Sequence, residues 1–222
     1  MKKIKKQIMS LSLVLMLIFM NIIKVDAATV VTMRIFSIYD TGSMHSWLMF
    51  ENMTSSTQTV GRYSLKAGDK VTVGTWGNLQ YDGVWYNVEA RRQLGNHVST
   101  SINLSSSQLS TVSSTIKNNN SWTAINNCST FAVKVWNSVA STKLSAGIPN
   151  LPTQLAQSIK NNTSYDFNVK MPEKGSNETY ATVKAANDYI IQIKDNGSGS
   201  SSFSFNNINE LNTHYKLNLS IN

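Results

Sequence analysis

The chain has 222 residues and a single cysteine, Cys128. Without a second cysteine no internal disulfide can form, so stability has to come from packing. Histidine is almost as scarce. His45, His97 and His214 stand far apart, with no carboxylate cluster beside them. That scarcity argues against a metal centre, and no cofactor is expected. Lys and Arg gather only in the first six positions and at Arg91-Arg92, and no nucleic-acid-binding motif is present. There is no internal repeat. The main apolar run covers positions 8–23, 16 residues that include Ser10, Ser12 and Asn21. A helix spanning a membrane needs about 20 mostly apolar residues.

That run has a better reading as the core of a signal peptide. Lys2, Lys3, Lys5 and Lys6 precede it, and "VDA" follows with small residues before a cut between Ala27 and Ala28. Residues 1–27 are therefore expected to be removed on export. The protein is expected to be secreted or associated with the cell envelope, with no stable membrane span after cleavage. Taking five lysines and Asp26 from 20 basic and 12 acidic residues leaves 15 and 11, a net charge of +4. This suits an anionic envelope and does not call for nucleic acid. The remaining 195 residues suffice for one domain with a sizeable core, or one domain and an appendage. A lone cysteine in an exported chain points to intermolecular pairing or to a working thiol.

Positions 30 to 104 read mainly as strands. "VVTMRIFSIY", "HSWLMFEN", "TQTVGRYSL", "VTVGTW", "VWYNVEARR" and "HVSTSINL" are apolar or alternating, with turn signals at "KAGDK" and "YDG". An antiparallel meander of five or six strands is expected. At Ser105 the texture changes. Leu109, Val112 and Ile116 follow a Ser-rich start at helical spacing. From Cys128 to Ser141, Phe131, Val135 and Val139 recur every four residues, and Ala132 and Trp136 widen the stripe, which makes Trp136 a core residue. Asn127 is a good N-cap for this helix, and "PTQLAQSI" reads as a third, with Pro152 in its first turn. The fold class is α+β. Residues 28–165 form the domain. Residues 166–222 are a weakly patterned segment that either completes the sheet or forms an appendage.

The position of Cys128 bears on its chemistry. In the first turn of a helix capped by Asn127 it meets unpaired N–H groups carrying about half a positive charge, which favour a thiolate. A buried structural cysteine is the competing reading. A thiol nucleophile also needs a base, and only three histidines are available. Trp76, Trp85 and Tyr86 are possible residues of a substrate groove or ordinary packing residues of a sheet. Trp85 and Tyr86 are adjacent, so on a strand they face opposite sides.

The pair of stretches "GSMHSWLMFEN" and "WTAINNCSTFAVKVWNSV" resembles the circularly permuted papain-like hydrolases, related to NlpC-type cell-wall peptidases and to lecithin:retinol acyltransferase. The likeness rests on a histidine on an early strand followed much later by an "NC-x-x-F-A" helix start, here His45 and then "NCSTFA". The flanking "VTVGTWGN", "GVWYNVE" and "LPTQLAQSI" also look like secreted bacterial members of this group, and the likeness covers about residues 30 to 159. It implies an antiparallel sheet with the cysteine-bearing helix packed against it, and His45 directed at the sulfur. It implies Cys128 and His45 as the catalytic pair of a thiol hydrolase acting on peptides, peptidoglycan or lipids. A non-catalytic binding protein that retains the fold is the alternative. A third, orienting residue is expected on the strand after the histidine. Gln58 and Thr59 lie near that place.

Overall fold

The computed structural model describes residues 28–40, 44–76, 83–91, 94–119, 121–172, 178–183 and 189–194. The expected signal peptide, 1–27, lies outside them, as does His214.

The chain forms a mixed α and β structure around one large antiparallel sheet. Its strands are β1 (Val31–Ile38), β2 (Ser46–Asn52), β5 (Lys70–Thr75), β6 (Val84–Tyr86), β7 (His97–Leu104), β8 (Asp166–Phe167), β9 (Glu178–Val183) and β10 (Tyr189–Lys194). Two short strands, β3 (Gln58–Val60) and β4 (Tyr63–Leu65), pair only with each other. The order across the large sheet is β10-β9-β6-β5-β2-β1-β7-β8. This is not a simple meander. β7 returns to pair with β1 on the side away from β2, and the described part of 166–222 adds strands at both edges.

Two expected strands are divided. "TQTVGRYSL" folds back on itself at Gly61, whose φ of +60° suits glycine, and a Cβ there would meet the Tyr86 hydroxyl at 2.3 Å. "VWYNVEARR" leaves the sheet after Tyr86. Asn87 takes a φ of +62°, and a 3₁₀ turn follows over Glu89–Arg91. Asn tolerates this left-handed backbone better than most residues do.

Three helices cover one face of the sheet: α1 (Ser106–Asn118), α2 (Cys128–Asn137) and α3 (Pro152–Asn162). Each begins where the sequence signals a start. Ser105 and Gln108 form a capping box on α1, the Asn127 side chain caps α2, and Pro152 opens α3. The apolar stripes point inward. Leu109, Val112 and Ile116 join Phe131, Val135, Trp136, Leu155 and Ile159 against Val31, Met33, Ile35, Leu48 and Phe50. Fully burying one such side chain contributes about 1.5–3 kcal/mol. Strand alternation sends Phe36, Ile38, Trp47 and Met49 to the other face, where Leu94, Val169 and Met171 pack on them. β2 is buried on both faces, and this sets a rigid base for the residue just before it, His45.

Candidate active site

Cys128 is the first residue of α2. The Asn127 carbonyl oxygen of the side chain accepts from the N–H groups of Ser129 and Thr130 at 3.0 and 3.2 Å. The Asn127 amide donates to the Asn150 carbonyl at 2.7 Å, tying the helix start to the loop before α3. The cap engages the second and third N–H of the helix and not that of Cys128 itself. The sulfur therefore lies at the positive end of a helix dipole.

His45 immediately precedes β2 and is 4% exposed. Its imidazole is hydrogen-bonded to the Cys128 side chain. Its Nε2 lies 2.9 Å from Oε1 of Glu89. Glu89 is fully buried. Its Oε1 also accepts from Trp76 Nε1 at 3.0 Å, and its Oε2 from Thr72 Oγ1 at 2.7 Å. A buried carboxylate needs such donors, since an unpaired one carries a heavy desolvation cost. The Trp76 ring covers the imidazole with centroids 3.8 Å apart, and Trp47 stacks at 5.6 Å. Gly74 makes room for this arrangement. A Cβ there would lie 2.4 Å from Glu89 Oε1 and 3.2 Å from His45 Nε2.

The electrostatics follow from these contacts. Burial by itself would lower the pKa of His45. The hydrogen bonds to Cys128 and Glu89, with the charges on both, outweigh it and raise the value from 6.5 to about 9. Burial by itself would raise the pKa of Cys128. The hydrogen bond and positive charge of His45 reverse this, aided by the Ser46 N–H and the Ser129 side chain, and the thiol is held below its ordinary value. Both shifts favour a thiolate–imidazolium pair with Glu89 behind the imidazole. Among the described residues no three His, Cys, Asp or Glu side chains are grouped to hold a metal ion.

The structure thus brings Cys128 and His45 together across 83 positions of sequence. It does not bring Gln58 or Thr59 to them. Gln58 lies in the separate hairpin, where its amide donates to Thr54 and Ser56 side chains, and the Thr59 carbonyl accepts from Ser113 Oγ. The residue hydrogen-bonded to the imidazole is instead Glu89, on the 3₁₀ turn after β6 and not on the strand after the histidine. The sequence reading missed it because "VWYNVEARR" looked like one continuous strand. The available signal was the "YN" step, where Asn ends the strand and turns the next acidic residue back under it. Of the three aromatic residues, Trp76 is at the site. Trp85 and Tyr86 are 2% and 1% exposed and line no open groove. The Tyr86 hydroxyl accepts from the Arg62 N–H at 3.0 Å, and its ring stacks on Tyr63. Trp136 is buried as expected, with Nε1 donating to the Thr142 carbonyl.

No helix of the described residues is long and apolar enough to cross a membrane. Comparison of the chain with protein-family models, curated proteins and solved structures finds no match.

Proposed function

We propose that this protein is an exported thiol hydrolase of permuted papain-like layout, which cleaves amide or ester bonds with Cys128 as nucleophile. The observation that carries this reading is the buried line of Cys128, His45 and Glu89, assembled from a helix start, a strand start and a 3₁₀ turn. Nucleophile, base and orienting carboxylate stand in the order that acyl transfer needs. The thiolate attacks the substrate carbonyl. The N–H of Cys128, left aside by the Asn127 cap, can donate to the oxygen that becomes negative. The His45 imidazolium protonates the leaving group, and the neutral imidazole then takes a proton from the water that releases the acyl group. Glu89 holds the ring with one nitrogen toward the sulfur throughout.

Peptidoglycan peptides are the proposed substrate, supported by the resemblance of the "NCSTFA" and histidine segments and by the expected export. Exposed apolar side chains favour a second reading of the same chemistry. Met44 adjoins His45, and Ile125, 81% exposed, lies three residues before Cys128. These suit an acyl chain in a lipid ester or amide.

The test is the reactivity of Cys128. A free thiol with a pKa near 8.5 is about one part in 300 thiolate at pH 6. Cys128 in the folded protein should nevertheless alkylate quickly with iodoacetamide at that pH. Hydrolysis of peptidoglycan fragments, or of long-chain acyl esters under the second reading, should stop in Cys128→Ser. It should decline on the acid side as the thiolate is protonated and again above about pH 9 as His45 loses its proton. Labelling that follows an ordinary thiol profile, or that requires denaturation, would rule out the enzyme in favour of a binding protein retaining the fold.

A further inference from the structure

Trp76, just after β5, makes two separate contacts with the site. Its indole N–H donates to Glu89 Oε1 at 3.0 Å, the same oxygen that His45 Nε2 meets at 2.9 Å. Its ring lies over the imidazole of His45, with centroids 3.8 Å apart and planes tilted by 32°. Rings so close and so little tilted meet face to face. A second indole, Trp47, is stacked on the same imidazole at 5.6 Å and 9°. Trp47 Nε1 is buried with no hydrogen-bond partner among the described residues, so this indole meets His45 by its ring alone.

An aromatic face is electron-rich. A cation within about 6 Å of the ring centre is attracted to it, most strongly by tryptophan, and more so where water is kept away. His45 is 4% exposed. A neutral imidazole gains little from such a face, so the face favours the proton. The N–H of Trp76 acts the other way, because it draws charge from the Glu89 oxygen that faces the imidazolium. One side chain thus carries two opposed influences on a single proton, and substitution can separate them.

We propose that the ring face of Trp76, assisted by Trp47, is a cation–π partner that keeps His45 protonated until the leaving group takes the proton. Trp76 is a positioning residue in this scheme, since it acts through His45. The titratable groups facing the His45 ring are Glu89 of the 3₁₀ turn and Cys128 of α2. β2 presents Trp47 to the ring, and β5 presents Gly74. This inference rests on the reading of His45 as the acid of a thiol hydrolase.

The proton is followed through the NMR signals of the His45 ring, identified by their loss in His45→Ala. In Trp76→Leu the midpoint of deprotonation should fall from about 9 by about half a unit to one unit. Two side effects of that substitution have the opposite sign. Water entering the site favours the charged ring, and Glu89 without the indole N–H holds the proton more strongly. Trp76→Phe keeps a ring face and loses the N–H, so its midpoint should lie above that of Trp76→Leu. The acid limb of Cys128 alkylation should stay in place, because the imidazole is charged both before and after the thiol ionises there. A displacement of that limb as large as that of His45 would mark a general loosening of the site and overturn the proposal. A midpoint in Trp76→Leu at or above the wild-type value would overturn it as well. If Trp76→Leu does not fold, Trp76→Phe is compared with the protein carrying pentafluorophenylalanine at position 76. These two rings share nearly one shape and have no N–H, and fluorination reverses the charge of the face. The fluorinated ring should give the lower midpoint, and equal midpoints would overturn the proposal. None of these readouts needs hydrolysis. The enzyme reading fails separately, on an ordinary thiol profile in the wild type.

Discussion

Among the described residues two histidines are buried, and their surroundings differ. His45, at the head of β2, is 4% exposed, and His97, at the head of β7, is 7% exposed. Each ring has two partners. His45 meets a carboxylate and a sulfur. His97 meets two backbone carbonyls, Gly95 O at 2.9 Å and Val169 O at 3.1 Å. Burial is alike in the two cases, and so is ring packing, since both contact Trp47. What separates them is whether the partners can change charge. Carbonyl oxygens hold a ring in place. A thiol and a carboxylate can exchange protons with it, which is what the proposed mechanism uses.

The comparison can be broken most forcefully at His45. In His45→Ala, hydrolysis should fall by about 10²–10⁴-fold, and alkylation of Cys128 should move up toward pH 8.5, the value of a plain thiol. Stability should change in step. The folded-state pKa of His45 is raised above 6.5, so the charged ring stabilises the fold fully below about 6.5, and this contribution is lost as pH rises through about 9. Wild-type denaturation midpoints should therefore drop across that range, and those of His45→Ala should drop less. Equal slopes for the two proteins would contradict a charged His45 in the fold.

Glu89→Gln sharpens the same contrast by keeping shape and removing charge. It makes the partner of His45 resemble the neutral acceptors around His97. Hydrolysis should fall by about a hundredfold through misplacement of the ring, and the alkaline limb of the rate profile should move below about 9, because the negative charge that helps hold the proton is gone. An unchanged limb would mean that Glu89 only fills space.

The smallest effect on activity is expected at His97. His97→Asn removes hydrogen bonds that tie the start of β7 to the segment after β8, and should cost about 1–3 kcal/mol of stability. Alkylation of Cys128 and hydrolysis at 25 °C should be unchanged. A shift in the alkylation profile would show that the two histidines communicate, and the contrast would fail.

Local rules made much of the fold legible. The stripe of Phe131, Val135 and Trp136, the cap at Asn127 and the Pro152 start each depend on residues a few positions apart, and they mark α2 and α3 directly. The position of Cys128 in a first turn followed from the same local signals. Glu89 did not follow. Its role depends on the left-handed Asn87, on the space left by Gly74, and on donors from Thr72 and Trp76, and these come from separate strands.

The sequence by itself determined that one cysteine would stand at a helix start, with three histidines as the possible bases. Periodicity and capping act within single elements, so those features survive without any knowledge of the fold. The resemblance of the His45 and Cys128 segments pointed to one of those histidines, and only the tertiary structure decided that it reaches the sulfur and which carboxylate stands behind it. Those choices depend on strand order and register. β2 lies between β1 and β5 in the sheet, and α2 packs above it. Residues as far apart as 45, 89 and 128 are made neighbours by that packing, and no local pattern in the chain encodes it.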